Sequence, residues 1–234
     1  MMTSLFEIEF DQQTLVGDTM GPEMPRTVLM LHGAGQSRRE KMLPLRNELL
    51  EKGIGSVAFD FIGHGETGGE MQESSLESRT CQACRVIDQL DLAQKPLSIV
   101  AASMGAYNAV QLTAEYVVRH LILIVPAMYT DKADDVRFGD RFSDLIRVPF
   151  SWRDSAGWNT LRRYTGNLLV VAAEIDRVIP REIVERYYDA AENAETRRLV
   201  TIKDTGHMIF TELREKKPRE MGQILDIIED TISL

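Results

Sequence analysis

The feature that most constrains this chain is an alternation of short, unbroken apolar runs with stretches whose apolar residues recur at helical spacing. Thr27–Leu31 reads TVLML, Leu97–Ala102 LSIVAA, Leu121–Val125 LILIV and Leu168–Ala173 LLVVAA. Apolar runs of this length are typical of buried strands. Ile54–Phe61 and Arg198–Ile202 extend the series. Between the runs, residues 38–52, 74–92, 104–119 and 181–192 show helical periodicity, with Pro180 suited to a first helical position. A last helix is expected over about Pro218–Ile232. Strands that are apolar on both faces and separated by helices need cover on both sides. They predict an α/β fold around a mostly parallel sheet. Phe6–Phe10 instead alternates apolar and acidic residues, which predicts an antiparallel edge strand with one wet face.

A length of 234 residues suits one such domain, spanning 1–234. Lys and Arg number 27 against 36 Asp and Glu, a net charge of −9. That balance argues against nucleic-acid or anionic-membrane binding through bulk charge. Two cysteines cannot build a disulfide framework. The opening MMTSLFEIEFDQQT lacks the basic start and apolar run of a secretory leader. No apolar stretch reaches the roughly 18 residues of a membrane span. The expected location is cytoplasmic.

One segment breaks the rhythm. Pro126–Gly166 is too long for a plain crossover and holds both tryptophans, Trp152 and Trp158. Residues 127–165 carry seven Lys/Arg and six Asp/Glu, leaving −10 for the rest of the chain. We read 127–166 as a cap inserted over one end of the sheet. The alternative is a surface excursion with helices of its own.

Four sequence features carry chemistry. First, the run Leu97–Ala102 leads directly into Ser103, with a helical pattern following at once. So sharp a reversal needs small residues two before and two after the serine. Ala101 and Gly105 supply them, and the turn would present the Ser103 hydroxyl beside a helix N-terminus. A plain helix N-cap is the competing role for this serine. Second, His32-Gly33-Ala34-Gly35 follows the first buried run, and glycines let a backbone approach a ligand closely. The N–H groups of Ala34 and Met104 are candidate oxyanion donors. Third, Asp176 follows the run Leu168–Ala173, with Glu174 as the fallback acid. Fourth, His207 follows Arg198–Ile202 and can act as general base. Strand ends of a parallel sheet share one edge, so these four loops can converge.

This combination resembles the α/β-hydrolase superfamily. The resemblance rests on His32-Gly33-Ala34-Gly35, Asp60-Phe61-Ile62-Gly63-His64-Gly65, Ala101-Ala102-Ser103-Met104-Gly105, Glu174-Ile175-Asp176 and Gly206-His207. It implies eight strands and a cap inserted after the sixth. It implies Ser103 as nucleophile, His207 as base and Asp176 as the acid that orients it. The stretch 60–65 would shape the floor of the site. The chain departs from the pattern at Ala101, where glycine is usual. A serine nucleophile argues against haloalkane dehalogenation, which uses an aspartate there.

The function expected is carboxylic-ester hydrolysis of a small-molecule substrate through an acyl-enzyme. A thioesterase acting on acyl-CoA or an acyl carrier is the nearest alternative. A non-catalytic small-molecule receptor is the alternative of another class. No metal or cofactor is expected, since neither ligand spacing nor a cofactor motif is present. His32, Gly33, Gly35, Trp152 and Trp158 are candidate substrate contacts. The cap arginines could attract an anion, although a solvated charged face is the commoner arrangement. Cys81 and Cys84 fall three apart in a helical pattern and read as packing rather than redox chemistry. The last helix has an exposed edge that could pair in a homodimer.

Overall fold

A computed structural model describes residues 3–21 and 26–234; Met1 and Met2, where the leader reading began, lie outside them. The chain begins with β1 (Thr3–Phe10), β2 (Gln13–Met20), β3 (Arg26–Leu31), α1 (Leu43–Glu51), β4 (Ile54–Phe59) and α2 (Leu76–Gln89). It continues through β5 (Leu97–Ala102), α3 (Met104–Glu115), β6 (Val118–Ile124), α4 (Asp140–Arg147) and α5 (Gly157–Arg162). It closes with β7 (Asn167–Ala173), α6 (Arg181–Ala190), β8 (Thr196–Ile202), α7 (Ile209–Lys216) and α8 (Pro218–Ile232).

The eight strands form one sheet in the order β1-β2-β4-β3-β5-β6-β7-β8. From β4 to β8 every pairing is parallel. β1 and β2 are antiparallel, and β2 joins β4 antiparallel. Successive residues of each strand face opposite sides of the sheet. Leu29, Leu31, Ile99, Leu121, Leu123 and Leu168 therefore enter one apolar cluster, beneath α2, α3 and the segment between β6 and β7. Val28, Met30, Val100, Ile122, Leu169 and Val171 enter a second cluster, beneath α1, α7 and α8. This is why the central strands read as unbroken apolar runs.

The edge strand expected at Phe6–Phe10 forms, within the longer β1, and its partner β2 is a strand that periodicity did not signal. The reason is composition. QTLVGDTM is half polar, and its Asp18 is buried as the ion-pair partner of Arg39 and Arg46. The run 54–61 ends as strand at Phe59; Asp60 still donates its backbone N–H to Val16 of β2, and its carboxylate accepts the Arg39 backbone N–H at 2.7 Å. The helix expected to reach Arg119 stops at Glu115, since Val118 already pairs with Leu97 in the sheet. Pro180 stands one residue ahead of α6 rather than inside it. The short helix α7 was not foreseen.

Between β6 and β7 the chain makes α4, α5 and two short 3-10 turns. Phe138, Phe142, Trp152, Trp158 and Leu161 of this segment are all buried in the first cluster.

Candidate active site

Ser103 sits between β5 and α3 with φ 51° and ψ −118°. A left-handed backbone at a non-glycine residue costs about 1–3 kcal/mol and persists only where neighbours enforce it. Here they do. The Ser103 N–H donates to the Ile124 carbonyl at 3.0 Å, and its own carbonyl accepts from Ala106 and Ala127. Gly105 is required by close approach, since a Cβ there would lie 2.5 Å from the Leu31 carbonyl oxygen. Ala101 fits fully buried. The Ser103 side chain caps no helix N–H, contrary to the simple N-cap reading.

The loops after β7 and β8 bring Asp176 and His207 to this serine. His207 Nε2 lies 3.1 Å from Ser103 Oγ, and its Nδ1 lies 2.8 Å from Asp176 Oδ2. The other Asp176 oxygen accepts the N–H groups of Val178 at 2.7 Å and Ile179 at 3.0 Å. Burial alone would raise the Asp176 pKa. The His207 hydrogen bond and these two N–H donors outweigh it and hold the carboxyl below its ordinary value. The anion can accept only at Nδ1–H, so the tautomer leaves Nε2 free to take the serine proton. The fallback acid, Glu174, points elsewhere and accepts the Asp204 N–H.

The loop after β3 packs directly on the serine: a Cβ at Gly33 would lie 3.1 Å from Ser103 Cβ. Among the described residues, the N–H groups of Ala34 and Met104 donate to no protein acceptor. The His32 ring is turned inward and buried. Its Nε2 accepts the Phe61 N–H at 3.1 Å, so Nδ1 carries the hydrogen and donates to the Gly33 carbonyl at 2.7 Å. Burial first, then the Arg79 charge, holds the His32 pKa well below its ordinary value, so the ring is neutral. Gly35 takes the left-handed turn at the far side of the loop.

A cavity of about 400 Å³ opens beside Ser103 and His207. Its apolar wall comes from Met42, Leu45, Ile124, Val125, Ile209 and Phe210, and among the described residues Lys41 is its one side chain with a fixed charge. Among the described residues no Asp or Glu lines it. His32, Gly33 and Ala34 line it, whereas Gly35, Trp152 and Trp158 do not. The two indoles instead pack edge to face 6.1 Å apart, and Trp158 Nε1 donates to the Trp152 carbonyl. Their burial, at 8% and 2% exposure, places them in the core rather than at a ligand surface. The arginines of that segment also stay away from the cavity. Arg153 pairs with Glu182 and Arg162 with Glu192 at the surface.

The remaining histidines are held elsewhere. His64 packs its ring 4.9 Å from that of His32, and His120 meets Ser98 Oγ near the start of β6. Asp60, at the head of the stretch 60–65, is buried in an ion pair with Arg39. Cys81 and Cys84 are free thiols on α2, with burial the main cause pushing both pKa values up. Sequence reasoning missed the cavity wall from α1 and α7. Ile209 and Leu213, four apart just past His207, were the available signal for α7.

A family model described as serine aminopeptidase, S33, matches residues 22–149. Among solved structures, Est1E from Butyrivibrio proteoclasticus with ferulic acid bound superposes with TM-score 0.76 at 18% identity, covering 98% of this chain and 100% of that one. An esterase of Pyrococcus furiosus gives TM-score 0.72 at 19% identity, covering 99% and 93%. The thioesterase domain of the curacin biosynthetic pathway gives 0.73 at 16%, covering 98% and 100%. At these identities the likeness shows the α/β-hydrolase fold. No curated protein sequence matches the chain.

Proposed function

The chain belongs to the serine aminopeptidase S33 family of α/β hydrolases, and we propose that it is a serine hydrolase cleaving a carboxylic ester through an acyl-enzyme. The observation that carries this reading is the unbroken hydrogen-bonded line from Ser103 through His207 to Asp176. His207 takes the Ser103 proton as the oxygen attacks the ester carbonyl, and Asp176 stabilises the imidazolium that forms. The N–H groups of Ala34 and Met104 receive the developing oxyanion, each worth about 3–4 kcal/mol in comparable sites. His207 then protonates the leaving alkoxide, and water activated by the same imidazole releases the acid.

The cavity favours an ester over a peptide with a free amino terminus. A carboxylate is the usual partner of a bound ammonium group, and among the described residues no Asp or Glu lines the cavity. Its apolar wall and volume of about 400 Å³ suit a short to medium acyl or alcohol group, near the lower end of small-molecule sites. Gly33 and Gly35 shape the oxyanion loop in this reading, and His32 supports it from beneath.

Initial rates on p-nitrophenyl esters from acetate to palmitate, with Ser103→Ala in parallel, test the proposal. The expected result is a maximum at short to medium chains, lowered in Ser103→Ala by about 10⁴-fold or more. Turnover that survives Ser103→Ala, or no turnover on any ester, overturns it. Turnover restricted to acyl-CoA would reassign the substrate to thioesters. Ester binding without turnover would support a receptor.

A further inference from the structure

Arg79, on α2, is wholly buried and has no carboxylate within ion-pair distance among the described residues. A buried guanidinium without a counter-ion is costly, and the usual reason to keep one is a set of fixed acceptors. Its acceptors are backbone carbonyls of the loop after β3. Nη2 donates to His32 O at 2.7 Å and to Gly33 O at 3.2 Å. Nε donates to Asn108 Oδ1 at 3.3 Å, and the guanidinium carbon sits 3.7 Å over the Phe61 ring. Nη1 has no partner. Burial lowers the pKa to about 9, which keeps the group charged at neutral pH.

The Gly33 carbonyl thus accepts twice, from Arg79 and from His32 Nδ1. A trans peptide is planar, so its C=O and the next residue's N–H point in opposite directions. Drawing the Gly33 oxygen inward turns the Ala34 N–H outward, where Ala34 and Ser103 share the cavity wall. Asn108 lies on α3, whose first residue is Met104, so the same guanidinium also braces the element carrying the second donor.

We infer that Arg79 is a positioning residue that aims the Ala34 N–H at the oxyanion by clamping the Gly33–Ala34 peptide from behind. This rests on the serine-hydrolase reading above. Arg79 acts only through the peptide and touches no substrate.

The test uses Arg79→Met and Arg79→Lys. Methionine fills similar space without burying a charge, so stability should hold or rise. Two readouts are followed: kcat and KM on the best ester, and the rate of Ser103 labelling by an alkyl fluorophosphonate, scored by intact mass. The labelling needs no knowledge of the natural substrate. Both variants should label about 100-fold more slowly and lose kcat by a similar factor, with KM little changed and melting temperature retained. Lysine should not rescue, because its single ammonium cannot reach the two carbonyls and Asn108 Oδ1 together while lying flat over Phe61, as the planar guanidinium does. Unlabelled wild-type protein overturns the serine-hydrolase reading and this inference with it. Wild type labelled, with both variants labelled as fast, overturns the role of Arg79 alone. So does unfolding of both variants, which would assign Arg79 to stability.

Discussion

The two faces of the sheet meet at Ser103 and have taken opposite courses. On one face, the long segment between β6 and β7 brings aromatic rings and buries them against α3 and α6. Trp158 packs on Tyr187, Tyr187 donates to the Ala127 carbonyl, and Phe138 packs on Phe142. On the other face, α1 and the short α7 leave a gap beside His207, and that gap is the cavity. The rings of the segment read as a cap are buried in the core, while the cavity beside Ser103 is lined from the other face. Large rings promote closure because each buries so much surface that an open cavity among them would be expensive. Smaller, flexible chains such as Met42 and Leu45 tolerate an unfilled neighbour.

The comparison can be broken by exchanging what each face is asked to do. The largest effect is expected at Trp158. Trp158→Ala should destabilise the protein by about 3–5 kcal/mol in urea unfolding, while the chain-length preference on esters stays where it was. A shifted preference would return that face to the substrate. Asp176→Asn, at the junction of the faces, should remove a charged hydrogen bond worth roughly 1.5–3 kcal/mol at neutral pH. The Asp176 carboxyl titrates below its ordinary value in the folded protein. Its contribution is therefore complete above about pH 4, the unfolded range, and is lost as pH falls through the depressed folded value. Melting curves of wild type and Asp176→Asn should converge in that acid window; a constant gap would contradict the assignment.

A smaller effect is expected on the cavity face. Phe210 is only partly buried, so Phe210→Ala should cost little stability and lengthen the preferred ester. The gain in kcat/KM for the longer chain should be about tenfold, the scale of one or two added methylenes. No change in preference would remove Phe210 from the pocket. The smallest effect is expected from Arg153→Ala. Its pair with Glu182 is exposed at both ends, so neither stability nor ester KM should change measurably, and added salt should leave KM unaltered. A clear KM increase would restore the idea that the arginines of this face draw in substrate.

Legibility in the sequence followed burial. Strands β3 and β5 to β7 are buried on both faces and announce themselves as apolar runs. β2 does not, because Asp18 is paid for by two buried arginines rather than by apolar neighbours. The order of Ser103, Asp176 and His207 along the chain was readable because each follows a strand that ends at the same sheet edge. Arg79 was not, since a lone arginine in a helical pattern looks like any solvated side chain until α2 is docked. The same holds for the cavity, whose wall joins residues from α1, β6 and α7.

By itself, then, the sequence determined the alternating α/β architecture and the placing of Ser103, Asp176 and His207 after strand ends, because periodicity and strand ends are local properties of the chain. Only the tertiary structure decided which face holds the space beside Ser103, which rings fill the other, and that Arg79 reaches the Gly33 carbonyl. Those depend on how separately coded elements dock, and docking is governed by shape and by the pairing of buried polar groups across distances that no local pattern records.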